Sequence, residues 1–203
     1  MKSEKAYECV PCPNLYKRYC DKKLKEIMPF LKKRDSILDA GCGGEKHPYC
    51  FLKLENLCPK LKGIDFNNHW HPKILKGDLN ALKFKSNSFD TAICLDVLEH
   101  IPEWETALNE LIRVSKKRVI LIVPTSENKM FRLFTNFLRK LIGINNPLLV
   151  GHYREFFPEQ IIHFRNKKIS SVFFKKINQP IPLAVIFNKT RIFYAGIYII
   201  DLK

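Results

Sequence analysis

The 203-residue sequence lacks any apolar run long enough to cross a membrane. A membrane-spanning helix needs about 20 predominantly apolar residues, whereas segments such as VILIVP (119–124) and IPLAVIF (181–187) have the length of a strand. The first ten residues, MKSEKAYECV, also lack the apolar core of a secretory signal peptide. We therefore expect a cytoplasmic protein without a transmembrane segment.

A cysteine framework is also lacking. The seven cysteines are an odd number at irregular spacings, and without an export signal such thiols are expected to be reduced. Cys9 and Cys12 form a C-x-x-C pair, but a zinc site needs two more ligands at a suitable spacing. The remaining candidates share no paired spacing; they are Cys20, His47, His69 and His71. The sequence therefore predicts no metal site and leaves the role of Cys9 and Cys12 open.

Acidic residues are scarce in the C-terminal part of the chain. Residues 116–203 contain 16 lysines and arginines against 4 aspartates and glutamates, whereas residues 36–115 contain 9 against 11. The whole chain carries a formal net charge of +15. A basic flank suits RNA, an anionic membrane surface or a phosphorylated substrate, and it is equally typical of an ordinary solvated surface.

Repeats are absent, and short apolar runs alternate with amphipathic segments instead. The amphipathic segments predict helices near residues 14–33, 48–58, 104–115 and 158–167, and Pro29 is expected to end or kink the first of them. Seven apolar runs predict strands: SILDA (36–40), KGIDF (62–66), ILKGD (74–78), FDTAICL (89–95), RVILIVP (118–124), ISSVFFKKI (169–177) and RIFYAGIYIIDL (191–202). Such runs are typical of parallel strands covered on both faces. The proline-containing connection between the last two predicts a terminal antiparallel hairpin on the sheet.

The length fits one domain. We predict a single domain over residues 1–203, with an N-terminal helical segment over 1–34 and a helical insert over 126–157. The stretch KMFRLFTNFLRKLIGI (129–144) in this insert has an apolar face with basic residues alongside. The insert is either a lid over the carboxyl edge of the sheet, suited to an apolar or amphiphilic substrate, or a helix packed on the core with a solvated basic side.

Bare backbone follows the first predicted strand. Gly41, Gly43 and Gly44 lie directly beyond its carboxyl end, where open parallel sheets bind their ligands. Glycine lets the backbone turn sharply and lets a ligand approach without a Cβ in the way. Asp65 stands at the second strand's end, 26 residues after Asp39, and a carboxylate there can accept both ribose hydroxyls of a nucleoside.

The third strand and the glycine loop narrow the choice of ligand. Asp78 ends that strand, within reach of an adenine amino group. A dinucleotide site would need G-x-G-x-x-G and a helix that starts at once to hold a pyrophosphate, but Glu45 would repel a diphosphate and Pro48 delays the helix. The ligand should be a phosphate-free nucleoside with positive charge, and S-adenosylmethionine meets these conditions. Radical chemistry on this cofactor is disfavoured, because the chain lacks a C-x-x-x-C-x-x-C motif.

These motifs resemble those of the class I S-adenosylmethionine-dependent methyltransferases, and most closely the broad group that includes the ubiquinone and menaquinone methyltransferases. The similar segments are ILDAGCGG (37–44), GIDF (63–66), KGDLNALKFKSNSFDTAICLDVLEHI (76–101) and GHYREFFPEQI (151–161). The resemblance covers about residues 35–165. It implies an α/β, Rossmann-like, doubly wound and mostly parallel sheet of seven strands with an antiparallel C-terminal hairpin.

The resemblance also implies a cofactor-binding set for S-adenosylmethionine. The first motif, with Asp39, Gly41 and Gly43, would hold the methionine moiety, and Asp65 after the second strand would hold the ribose. Asp78 and Leu79 would lie beside the adenine. Leu95 and Asp96, at the end of the fourth strand, would lie beside the methyl donor. Two positions depart from the family pattern. Glu45 replaces a common third glycine, which suggests an altered loop over the methionine tail, and Lys83 changes a turn.

Methyl transfer from a sulfonium mainly requires alignment of the two reactants and exclusion of water, and an acceptor that carries a proton also needs a base. The candidates for this base are Asp96 and the pair Glu99 and His100, which follow the fourth strand, and His152. His100 either lines the site or packs at a helix start. Tyr153 and Arg154 join both histidines on the substrate side, although Arg154 is equally suited to a surface ion pair.

The sequence therefore favours an enzyme that methylates a small-molecule or lipid-like acceptor. Two alternatives stay open: an RNA methyltransferase that uses the basic flanks, and a non-catalytic binding protein with a methyltransferase-like fold.

Overall fold

Short apolar runs form the strands of a central sheet. The structure is a computed structural model that describes residues 13–43, 49–66, 71–126, 156–177 and 193–203. The strands are β1 (Ile37–Ala40), β2 (Leu61–Asp65), β3 (Ile74–Lys76), β4 (Phe89–Leu95), β5 (Ser115–Ser126), β6 (Ile169–Ile177) and β7 (Phe193–Leu202). They form one seven-stranded sheet in the order β3-β2-β1-β4-β5-β7-β6.

The direction of the strands follows the predicted pattern. β1 to β5 pair in parallel, with β1 between β2 and β4. β7 runs antiparallel to both β5 and β6. The prediction of a mostly parallel sheet with an antiparallel C-terminal pair is therefore confirmed. The strand order reverses at β1 and β4, and such a switch point opens a crevice beyond the carboxyl ends of the strands.

Four helices accompany the sheet in the described part of the chain: α1 (Pro13–Ile27), α2 (Tyr49–Leu57), α3 (Trp104–Val114) and α4 (Pro158–Ile162). α1 ends where Pro29 predicts, whereas α4 is shorter than predicted. α1 ends at Ile27 and continues only as a 3₁₀ turn over Met28–Phe30, because Pro29 cannot donate a helical hydrogen bond. α4 stops after five residues instead of reaching residue 167, and the chain turns so that Phe164 packs on the Trp104 ring at 5.8 Å.

The core lies in two layers, one on each face of the sheet. β5 contributes alternately to both, since Leu121 packs with the layer under α3 and Ile120 with the layer under α1 and α2. The side chains of α3 that enter the first layer include Leu108 and Ile112. The second layer takes Leu24 from α1, together with α2 side chains. Both faces are thus covered, which leaves the carboxyl ends of the strands as the place for a site.

Candidate functional site

The loop after β1 is fastened to the end of β2. The backbone N–H of Gly43 donates to Oδ2 of Asp65 (N···O 3.0 Å), and the N–H of Gly41 donates to the carbonyl of Ile64 at 2.7 Å. The sequence predicts that Asp65 lies beside the glycine loop, and the structure brings these residues together. A carboxylate has about four acceptor sites, so Asp65 can bind this loop and further donors as well.

Gly41 and Gly43 adopt left-handed backbone conformations, with φ of 76° and 84°. L-residues with a side chain rarely adopt these angles. A Cβ on Gly41 would lie 2.4 Å from Cγ2 of Val97, so the loop after β1 presses directly against the loop after β4. The predicted glycine loop is therefore present, and the lack of a side chain at Gly41 also allows the loops after β1 and β4 to pack against each other. Gly44 and Glu45 lie outside the described residues.

The end of β3 presents an exposed carboxylate. Oδ1 of Asp78 accepts a hydrogen bond from the N–H of Asn80 (2.8 Å) and caps a 3₁₀ turn over Leu79–Ala81. The Leu79 side chain is buried in the core, so any ligand contact of Leu79 would use its backbone. The N–H of Gly77 donates to the carbonyl of Asp65 at 2.9 Å. The two predicted acidic strand ends therefore belong to neighbouring parts of one sheet edge.

Sequence reasoning missed an aromatic side chain at this edge. Phe66 directly follows Asp65 and is 66% exposed. An exposed aromatic ring beside a carboxylate that the motifs assign to ribose hydroxyls can stack on a nucleobase. The signal was present in the motif GIDF, in which an aromatic residue follows the strand-end acid.

The end of β4 carries a buried ion pair. Asp96 has φ of 56°, and its carboxylate accepts from Nζ of Lys23 (2.7 Å) and from the hydroxyl of Tyr19 (3.1 Å). Lys23 is only 5% exposed, and its ammonium lies 4.4 Å from the centre of the Tyr19 ring. α1 is therefore tied to the strand end that the motifs assign to the methyl donor. Leu95, the last residue of β4, is half-buried.

Burial and neighbouring charge act in opposite directions on Lys23. Burial alone would lower the pKa of Lys23, but the Asp96 carboxylate raises this pKa above its usual value, so the ammonium stays charged. Burial raises the pKa of Asp39 to about 7, an effect that the Lys23 charge reduces and Asp65 increases. The site thus combines a fixed cation with a carboxyl group that titrates near neutral pH.

Glu99 and His100 lie in a 3₁₀ turn over Leu98–His100, which directly follows Val97. Glu99 is fully buried, and burial, followed by the charge of Asp96, raises the pKa of Glu99 well above its usual range. His100 is half-buried, and its N–H donates to the carbonyl of Val97 at 2.9 Å. The structure therefore places His100 on the loop that touches Gly41. Its role as a base stays a prediction.

Several predicted features lie outside the described residues. They are the substrate-side residues His152, Tyr153 and Arg154, the pair Cys9 and Cys12, and most of the insert over 126–157. Within the described ranges, no group of three or more His, Cys, Asp or Glu residues could hold a metal ion. In the same ranges, five buried cysteines form no disulfide bond, and no helix is long and apolar enough to span a membrane.

The sheet order, the antiparallel seventh strand and the acidic strand ends around a glycine loop define a class I methyltransferase fold. Solved structures share it. Magnesium protoporphyrin IX methyltransferase from Synechocystis, crystallised with bound SAH, superposes with a TM-score of 0.61 and 18% identity over 93% of this chain and 84% of that one. The [4+2]-cyclase SpnF superposes with a TM-score of 0.62 and 14% identity over 91% and 80%.

Sequence comparison points to the same class. Residues 38–123 match the family described as Methyltransferase domain. The demethylmenaquinone methyltransferase of Geobacillus stearothermophilus is 24% identical over 144 residues, which cover 62% of this chain and 62% of that protein. The match thus spans less than two thirds of this relative. Residues 38–123 are thus similar to the methyltransferase domain family, and the chain shares the fold of class I S-adenosylmethionine-dependent methyltransferases, as the motifs predict; S-adenosylmethionine is the cofactor of that class.

Proposed function

We propose that the protein is an enzyme that transfers a methyl group from S-adenosylmethionine to a small-molecule acceptor. The observation that carries this proposal is the hydrogen bond between the loop after β1 and the end of β2, in which the N–H of Gly43 donates to the Asp65 carboxylate at 3.0 Å. A protein with this fold that no longer bound the cofactor would not need a charged acceptor beside two glycines with left-handed backbone angles. We also propose that residues 1–203 form a single domain with the insert over 126–157 as a lid.

The residues present fit this cofactor. The Asp65 carboxylate suits ribose hydroxyls, Phe66 offers an exposed ring to the adenine, and Asp78 offers an exposed acceptor. Asp39 and Asp96 add negative charge near the glycine loop, which suits the two cationic groups of the cofactor. When bound, S-adenosylmethionine supplies a methyl group on a positively charged sulfur. The task of the chain is then to align this group with the acceptor and to exclude water.

The residues that we propose for the two sides of the reaction are those of the motif assignment. Asp39, Gly41, Gly43, Asp65, Asp78, Leu79, Leu95 and Asp96 would hold the cofactor. His100, His152, Tyr153 and Arg154 would face the acceptor. If the acceptor carries a proton, His100 or His152 would accept it as a base. The position of His100 beside the loop that contacts Gly41 supports its part in this assignment.

Two of the similar proteins are named for a quinone or porphyrin acceptor. These names support a small-molecule or lipid-like acceptor for this protein. The net charge of +15 would favour an anionic or amphiphilic acceptor. An anionic membrane surface and RNA are further proposed partners for the basic C-terminal part. Co-sedimentation with anionic vesicles and gel shifts with tRNA at low salt would separate these two.

Titration calorimetry tests the proposal most directly. We expect one molecule of S-adenosylmethionine or S-adenosylhomocysteine to bind per chain, with a dissociation constant of about 1 μM to 1 mM. Adenosine diphosphate is the matched control ligand and should not bind, because the acidic strand ends repel phosphates. Incubation with methyl-labelled cofactor and fractionated extract of the source cell should then label a small molecule. Absence of binding of both cofactor forms would contradict the proposal.

The second candidate function is catalysis of a reaction other than methyl transfer on the same fold. The [4+2]-cyclase SpnF shares this fold, so the fold alone does not fix methyl transfer as the reaction. If the protein uses this fold for a reaction other than methyl transfer, no label should reach any fraction of the extract.

The site should also respond to pH. Burial raises the pKa of Asp39 to about 7, so this carboxyl group gains its negative charge as the pH rises through 7. We expect affinity for the cationic cofactor to rise between pH 6 and pH 8, with a proton released on binding at pH 6. Calorimetry in buffers of different ionisation enthalpy measures this proton. Asp39→Asn should remove the proton release that is specific to this site, and an unchanged release in this variant would contradict the assignment.

A further inference from the structure

Lys23 stands out among the charged residues that the motifs do not explain. It lies on the apolar face of α1, one turn from the buried residues Cys20 and Ile27. Its Nζ lies 2.7 Å from Oδ2 of Asp96, a residue 73 positions away at the end of β4. The Tyr19 ring flanks this ammonium at 4.4 Å, and the Tyr19 hydroxyl holds the second oxygen of Asp96.

A buried lysine is costly at this position. Removing an ammonium from water carries a large free-energy penalty, which a single ion pair offsets only in good geometry. An apolar side chain would complete the same face of α1 without this penalty, as its neighbour Leu24 does. The positive charge itself is therefore the feature that needs an explanation.

The surroundings of the ammonium are the proposed cofactor site. Asp96 precedes Val97, whose side chain packs against the backbone of Gly41 in the glycine loop. The charged and titratable groups that act on Lys23 also include Asp39, Cys20 and Cys50. Lys23 thus adds one fixed positive charge to the acidic strand ends that would receive a cationic ligand.

We propose that Lys23 is a specificity-determining residue that sets how strongly the site prefers the charged methyl donor over its uncharged-sulfur product. This inference rests on the proposed function. The two cofactor forms share the adenosine, ammonium and carboxylate groups and differ in the charge on sulfur. A fixed ammonium near this sulfur repels the sulfonium charge, which only the donor carries. It therefore prevents the carboxylates from overstabilising the donor, a ground-state effect that would slow turnover.

Calorimetry of S-adenosylmethionine and S-adenosylhomocysteine with wild type, Lys23→Gln and Lys23→Arg tests this inference. Glutamine keeps an N–H donor for Asp96 but removes the charge, whereas arginine keeps the charge. We expect Lys23→Gln to raise the affinity for the donor relative to the product by roughly tenfold, as removal of a nearby unit charge predicts. Lys23→Arg should leave this ratio within about twofold of wild type, as should Lys25→Gln, which changes an exposed lysine of the same helix.

The outcomes separate the two proposals. An unchanged ratio in Lys23→Gln, in a protein that binds both ligands, would overturn the role of Lys23 and leave the proposed function intact. Failure of the wild type to bind either ligand would overturn both. If Lys23→Gln does not fold, Asp96→Asn provides the opposite change. It leaves the ammonium without its carboxylate partner, so the relative affinity for the donor should fall, and a ratio equal to that of wild type would contradict the inference.

Discussion

Asp65→Ala is expected to weaken S-adenosylmethionine binding by at least roughly 100-fold while the fold stays intact. Hydrogen bonds to a charged group contribute about 1.5–3 kcal/mol each, and every 1.4 kcal/mol is about a tenfold change in affinity. Loss of the acceptor for two ribose hydroxyls therefore gives this effect. The substitution also removes the hydrogen bond from the N–H of Gly43 to this carboxylate, which should lower the free energy of unfolding by about 1.5–3 kcal/mol.

Calorimetry and urea unfolding measure the two effects separately. Asp201→Ala is the matched control, because Asp201 pairs with Arg118 in β5 at 3.0 Å and lies opposite the first residues of that strand, at the other end of the sheet. This control should bind the cofactor like wild type. If Asp65→Ala binds with the wild-type dissociation constant, Asp65 serves only to fasten the glycine loop, and the proposed ribose contact is wrong.

The joint between the glycine loop and Asp65 was predictable because it depends on strand order and motif position. Both segments end apolar runs, and adjacent parallel strands bring their carboxyl ends to one edge. Apolar runs likewise predict β1 to β5 and the terminal antiparallel pair, because each strand is a short continuous segment of the sequence. A local sequence pattern therefore suffices to predict these strands, and their pairing in the sheet then fixes which strand ends lie close together.

Lys23 could not be predicted in this way, because its partner lies 73 residues away. Helical periodicity places position 23 on the apolar face of α1, beside Leu24, but periodicity says nothing about a counter-ion from β4. The only signal was a charged residue at a core-facing position. Leu79 illustrates the converse case, since a strand-end motif does not reveal that this side chain points into the core rather than towards a ligand.

The early end of α1 and the short α4 have different origins. Pro29 marks the first in the sequence, since proline breaks the helical hydrogen-bond pattern. The end of α4 depends on packing of Phe164 against Trp104 of α3, a contact between residues about 60 positions apart. Tertiary contact therefore overrides a helical pattern that continues to residue 167.

Gly41→Ala is expected to destabilise the protein by roughly 2–5 kcal/mol, because two costs combine at this position. The left-handed backbone, with φ of 76°, costs a residue with a Cβ about 1–2 kcal/mol, and overpacking costs about 1–3 kcal/mol. The new Cβ would lie 2.4 Å from Cγ2 of Val97. Urea unfolding of the ligand-free protein measures the total.

A double-mutant cycle divides this total into its two causes. Val97→Ala removes the clashing methyl groups, so Gly41→Ala should cost only about 1–2 kcal/mol in that background, the part that belongs to the left-handed backbone. Gly77→Ala is the matched control, because its Cβ would meet the mobile Cδ1 of Ile64 at 2.6 Å and its φ is not left-handed. It should cost less than Gly41→Ala. Equal unfolding midpoints for Gly41→Ala and wild type would mean that the loops after β1 and β4 are not packed on each other.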